Sequence, residues 1–212
     1  MSFLGMLTAL AEAAGAGGGG GGPYPFTETF TAADGTDLTA LDAGWSQPIG
    51  AANTLEVLSN RAIYNGAAGF PALSLDAVVL RDFGQTDMVV RGTLVAPIDS
   101  YRSSVSLALA CDAAGNNGLF VMKEDRRVRV WKRIAGTVTV VAAGLGATTN
   151  PAGVWTATWS AGALTISTAT DGIIYGPTAL ADVAAAGGTY AGIGGYGDNS
   201  RDPFDDWSVA VS

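Results

Sequence analysis

Ser104-Val105-Ser106-Leu107-Ala108-Leu109 is the stretch on which the fold turns. Valine and the two leucines occupy every second position, with small or hydroxylic residues between them. Side chains of a strand alternate between its two faces, so this spacing predicts one apolar face and one polar face. The same period recurs on both sides. Met88, Val90 and Leu94 share one face, with Asp87, Arg91 and Thr93 on the other. Residues 119–123 and 126–134 predict a hairpin around Glu124-Asp125. Val154-Trp155-Thr156-Ala157-Thr158-Trp159 sets two tryptophans on one face with small Ala157 between them, which suits the inside of a sandwich.

Farther out, strands are expected at 26–30, around Leu55 and Val57, and at 61–64, 73–80, 137–142, 164–169, 190–193 and 207–211. Asp34-Gly35, Asn65-Gly66, Gly115-Asn116, Asn150-Pro151, Ala161-Gly162 and Asp171-Gly172 separate them as turns. Residues 180–186 predict one helical turn. About twelve short alternating strands with little helix give an all-β fold of two packed antiparallel sheets. No internal repeat is visible.

Six consecutive glycines, 17–22, divide the chain. The expected layout is an attachment peptide at 1–16, a Gly/Pro linker at 17–25 and a β-rich domain at 26–212. Phe3, Leu4, Met6, Leu7 and Leu10 crowd the first segment with apolar groups, and Glu12 is its only charged side chain. A helix this short is marginal alone in water, so it calls for a partner groove or a bundle of copies. A homo-oligomer is therefore expected, and a disordered tail is the competing reading. No Lys or Arg precedes the apolar residues, which argues against a secretory signal. No run approaches the roughly 20 apolar residues that span a bilayer.

Composition narrows the chemistry. The chain has no histidine, which removes Ser-His-Asp and Cys-His nucleophile systems and His-based metal sites. Its four glutamates, Glu12, Glu28, Glu56 and Glu124, are scattered, so a local Glu pair for glycoside hydrolysis is missing. Aspartates from distant segments could still meet. The net charge of −8 disfavours nucleic acid, whose phosphates need a basic surface. A single cysteine, Cys111, excludes an intrachain disulfide; it follows Leu107 and Leu109, which predicts an inert thiol in the core.

The two ends carry a family resemblance. Phe26-Thr27-Glu28-Thr29-Phe30, then Asp34-Gly35-Thr36, then Gly44-Trp45 resembles the opening of concanavalin A-like, laminin-G-like jelly rolls. Phe204-Asp205-Asp206-Trp207-Ser208-Val209 resembles their closing strand, and residues 154–166 their last interior hairpin. The resemblance spans nearly all of 23–212 and implies that the domain at 26–212 is a two-sheet antiparallel jelly-roll sandwich, a fold shared by sugar-binding lectins, adhesive modules and glycosidases. The Glu-x-Asp-x-x-Glu type motif of the laminarinase branch does not occur here. The tethered layout also resembles spikes, fibres and head decorations of tailed bacteriophages.

Two regions invite a ligand. Residues 123–133 hold six of the eleven basic residues. As a strand they would turn Arg127, Arg129, Trp131 and Arg133 one way and Val128, Val130 and Ile134 inward. An aromatic ring beside guanidinium forks suits a sugar ring or an acidic polysaccharide. The competing reading is a solvated face whose Arg stems cover Trp131. Tyr101, Arg129, Trp131, Tyr196, Asp198 and Asn199 form the expected glycan contact set. Asp198, Asp202, Asp205 and Asp206 supply the oxygen ligands that Ca²⁺ takes, although their spacing matches no EF-hand and such residues also make turns. Trp45, Trp155, Trp159 and Trp207 are expected in the core.

The sequence thus predicts a non-enzymatic, virion-associated display protein. Its N-terminal peptide would dock with other virion proteins, and its lectin-like head would contact host surface polysaccharide. The alternative is a secreted or cell-surface carbohydrate-binding module, or a polysaccharide-degrading enzyme.

Overall fold

The computed structural model describes residues 25–50, 55–65, 75–95, 102–124, 126–149, 151–196 and 203–211. The expected attachment peptide at 1–16 and most of the linker lie outside the described residues. So do Tyr101, Asp198, Asn199 and Asp202 of the expected contact sets.

The described residues form fifteen strands, one short 3₁₀ helix at Leu38–Ala40 and one α-helix, α1 at Ala181–Ala186. In chain order the first eight strands are β1 Phe26–Glu28, β2 Ser46–Ile49, β3 Leu55–Val57, β4 Ala62–Tyr64, β5 Ala77–Asp82, β6 Met88–Leu94, β7 Arg102–Cys111 and β8 Gly118–Glu124. The rest are β9 Arg127–Ile134, β10 Thr137–Leu145, β11 Gly153–Ser160, β12 Ala163–Thr168, β13 Gly172–Ala179, β14 Tyr190–Gly195 and β15 Phe204–Ala210.

They make two antiparallel sheets. The eight-stranded sheet runs β13-β12-β11-β6-β15-β4-β3, with β1 also on β15. The seven-stranded sheet runs β10-β9-β8-β7-β14-β5-β2. Neighbours such as β6 and β15, or β7 and β14, are far apart in sequence, as in a jelly roll rather than a meander.

The inner faces meet in one core. Trp155, Ala157 and Trp159 of β11, Met88, Val90 and Leu94 of β6, and Val105, Leu107 and Leu109 of β7 all lie in it, as their period-two spacing predicts. Trp45 and Trp207 join it too, their rings 5.1 Å apart, with Phe26 and Phe83 completing an aromatic cluster. Arg81 closes this cluster, its guanidinium 4.3 Å from the Phe26 ring centroid and 3.0 Å from the Asp42 carboxylate. The Gly44 amide and then Arg81 hold the Asp42 carboxyl below the usual carboxylate range.

Two departures from strict alternation come from bulges. Asp205 faces Thr93 and Trp207 faces the adjacent Gly92, so Asp206 is the extra residue, at φ +34°. That bulge lets two acidic residues follow each other before the apolar alternation resumes. On β7, Ala108 pairs with Gly192 and Cys111 with Tyr190, three residues against two, with Ala110 at φ +52°. Cys111 is therefore buried, but not beside Leu107 and Leu109 as expected. The bulge turns it to the opposite face, where burial pushes its thiol pKa up.

Candidate functional site

The seven-stranded sheet is apolar on both faces. Along β8, Leu119 and Val121 belong to the core between the sheets, whereas Phe120 and Met122 belong to a second cluster. Alternation puts that cluster on the sheet's outer face. Strand pairing lines it up in two rows: Leu80, Gly192, Ala108, Phe120 and Trp131; then Val78, Gly194, Ser106, Met122 and Arg129. Leu75 and Tyr196 pack against these rows.

Trp131 lies in this second cluster with no exposed surface. The expectation of a ring presented to solvent is thereby corrected. The shared face of Arg127, Arg129, Trp131 and Arg133 is as the spacing predicts, and Val128 and Val130 do point into the main core. What differs is that the face is covered. Arg127 donates to the carbonyls of Gly146 and Ala147, and Arg133 to those of Gly115 and Gly136, at 3.2 and 3.1 Å. These guanidinium groups reach backbone at the strand ends while Trp131, between them, packs edge-to-face on Tyr196 with centroids 4.4 Å apart. Lys132 is also spoken for, by an ion pair to Asp182 of α1 that holds the Asp182 carboxyl below its ordinary range.

The structure thus brings Arg129, Trp131 and Tyr196 to one face, with Trp131 and Tyr196 in direct contact. Among the described residues, two polar atoms in this face are buried without a hydrogen-bond partner, Trp131 Nε1 and Ser106 Oγ. Gly194 abuts the serine: a Cβ there would lie 2.4 Å from Ser106 Oγ.

Of the expected Ca²⁺ ligands, only Asp205 and Asp206 are described. Asp205 accepts a hydrogen bond from the Asp206 amide at 3.2 Å, the local turn reading. Among the described residues, no three His, Cys, Asp or Glu side chains come together as a metal site. No helix among them is long and apolar enough to cross a membrane.

The outer face of the eight-stranded sheet is built differently. Arg91 on β6 is exposed and pairs with Ser208 on β15 and Thr156 on β11; Thr156 in turn pairs with Ser167 on β12. Thr158 and Thr165 form the next row. All five hydroxyl residues are half-exposed, and among the described residues none of their side chains makes an intramolecular hydrogen bond. Arg91 likewise makes no ion pair among the described residues. Beneath them Val90, Trp155, Ala157, Leu164 and Ile166 fix the strands to the core. The sequence carries the signal as Thr156-Ala157-Thr158 and Thr165-Ile166-Ser167. Read alone, those hydroxyls look like ordinary solvent-side filler.

No protein-family model matches the chain, and no curated protein matches it. Solved structures do. The xylan beta-1,4-xylosidase from Bacillus halodurans superposes at a TM-score of 0.61 with 13% identity, over 89% of this chain and 40% of that one. A mutant of the GH43 protein BlXynB from Bacillus licheniformis gives 0.57 and 13%, over 88% and 39%. The likeness is one of fold. It agrees with the two-sheet antiparallel sandwich described above, and the chain spans about two-fifths of the length of either protein. The carbohydrate binding module CBM66 from Bacillus subtilis overlaps at a TM-score of 0.45 with 12% identity, over 79% of this chain and 91% of that one.

Proposed function

We propose that this chain is a non-enzymatic β-sandwich that binds carbohydrate through the outer face of its eight-stranded sheet. The observation that carries the reading is the paired array of unengaged hydroxyls on that face, from Ser208 across Arg91 to Thr156 and Ser167. Sugars present hydroxyls in turn, and a rigid sheet offers donors and acceptors at fixed spacing, so little ordering cost opposes binding. The name of one structural neighbour puts xylan beside this fold, which supports a polysaccharide as the ligand class. The non-enzymatic part rests on residue types: no histidine in the chain and no clustered glutamates.

The glycine run and apolar leader support a presented module held by its N-terminal segment. The placement we propose is secreted or on a cell surface, where a module of this kind would meet polysaccharide. Virion display rests on the leader's layout alone. Tyr101, Asp198 and Asn199 remain proposed contacts, on connections whose flanking strands are β6 to β7 and β14 to β15.

Affinity electrophoresis of the full chain, in gels cast with neutral and acidic polysaccharides, tests the reading. Retardation by at least one polymer is expected. Failure of a streptavidin-linked tetramer, whose avidity would amplify even weak sites, to be retarded by any of them would overturn it.

A further inference from the structure

The proposed function leaves the sugar class open, and Arg91 narrows it. We infer that the outer face of the eight-stranded sheet recognises a glycan bearing isolated carboxylates, with Arg91 receiving the carboxylate and the flanking hydroxyls receiving the neutral sugars on either side. This inference rests on the carbohydrate reading above.

Arg91 sits mid-strand in β6, with Ser208 on one side and Thr156 on the other. Strands lie about 4.8 Å apart, so these hydroxyls flank the guanidinium closely in a fixed row. Arg81, Arg127, Arg133 and Lys132 are engaged by carboxylate or carbonyl groups, as described above. Arg91 has no such partner among the described residues, and it is exposed rather than folded into a packing role. A planar guanidinium with free donors matches the two oxygens of a carboxylate, and a charge-assisted pair of this kind is among the stronger polar contacts.

The surrounding acids decide how densely charged the ligand is. Asp205, opposite Thr93, faces the same side as Arg91, and Asp206 follows it in the bulge. The chain as a whole carries a net charge of −8. At physiological salt, screening acts over about 8 Å, so a distant charge matters little but a neighbouring carboxylate matters. A polymer with a carboxylate on every sugar would meet Arg91 with one group and Asp205 with the next. A polymer that spaces its carboxylates with neutral sugars meets only the guanidinium and the hydroxyls of Thr156, Ser167, Thr158 and Thr165. Specificity of this kind comes from repulsion as much as attraction.

Isothermal titration of the full chain with three probes tests the inference: a hyaluronan octasaccharide, whose carboxylates alternate with neutral sugars, its carboxyl-reduced counterpart, and an oligogalacturonate of the same length. The octasaccharide should bind tightest. Carboxyl reduction should weaken it about tenfold or more, the scale of one charge-assisted contact. Arg91→Ala should cause a similar loss for hyaluronan and little change for the reduced form, with Arg91→Lys between. Thr156→Val should weaken both forms alike. If Arg91→Ala binds hyaluronan as tightly as the unaltered chain, or if oligogalacturonate binds best, the inference is overturned while carbohydrate binding stands. If binding is confined to neutral polymers, Arg91 has no carboxylate to receive and the inference also falls. Absence of binding to every polymer, acidic or neutral, would overturn the function proposed above together with it.

Discussion

On the outer face of the seven-stranded sheet, Phe120, Ser106 and Trp131 are all withdrawn from solvent; on the outer face of the eight-stranded sheet, Arg91 is exposed and Thr156 half-exposed. Both faces sit on strands that alternate in the same way, and both carry hydroxyls between apolar residues. The difference teaches what a period of two can say. It tells which residues share a face, because the pleat dictates that. It does not tell whether the face is wet, because that depends on what else packs there. The covered face stiffens the sheet and supplies stability. The open face has unengaged donors and acceptors, and is where a ligand can gain from contact.

The sharpest way to break this contrast is to truncate one residue on each face. Trp131→Ala should lower unfolding stability by about 3–5 kcal/mol, the range for deleting a large buried aromatic. Thr156→Ala should stay within about 0.5 kcal/mol, as surface changes usually do. Urea melts of the two variants read the difference directly. Equal effects would mean that the faces are not distinct.

A smaller effect sharpens the picture of the covered face. Gly194→Ala would place a methyl group 2.4 Å from Ser106 Oγ, and 3.3 Å from both Leu75 and Phe120. Overpacking of this sort costs about 1–3 kcal/mol. In a Ser106→Ala background the closest clash disappears, so the double variant should recover part of the loss. A double-mutant cycle by chemical denaturation checks the coupling.

Ser106→Ala alone should be neutral or stabilising by about 1 kcal/mol. The buried hydroxyl oxygen has no partner among the described residues, so its removal relieves desolvation without breaking a bond. A drop in the denaturation midpoint would show that the oxygen is in fact satisfied.

The weakest expected dependence is on acid, and it belongs to neither face. Asp171 is held below the usual carboxylate range, first by the Thr148 hydroxyl and then by the Thr148 amide; Asp42 and Asp182 are lowered as well. A carboxyl whose folded pKa lies below its unfolded value of about 4 adds stability that is fully present above that value. The contribution fades as pH falls through the lower folded values. Melting temperature should therefore hold steady from pH 7 to about pH 5 and decline below about pH 4. Thr148→Val should soften that decline, because it removes the leading cause of the Asp171 shift.

Much of the fold was legible. Met88, Val90 and Leu94, the Trp155 and Trp159 pair, and the helical turn ending at Ala186 all stand where spacing puts them. Strand β13 was not legible: Gly176 and Pro177 interrupt its pattern, and only its place at a sheet edge makes a proline there tolerable. Cys111 went to the opposite face because a one-residue bulge is invisible to periodicity. The candidate site was less legible than the fold. Trp131 was drawn toward solvent by its arginine neighbours. Nothing local shows that Arg127 and Arg133 would bend away to backbone carbonyls. The hydroxyls of β11 and β12 were plain in the sequence, yet their alignment with Arg91 and Ser208 comes from pairings between segments far apart in the chain.

The most direct test is an amide chemical-shift map of the isotope-labelled full chain titrated with the hyaluronan octasaccharide. Shifts are expected on Arg91, Thr156, Thr158, Thr165, Ser167 and Ser208, with the amides of Phe120, Met122 and Trp131 unmoved. Shifts concentrated on β8 and β9 instead would contradict the proposed binding face.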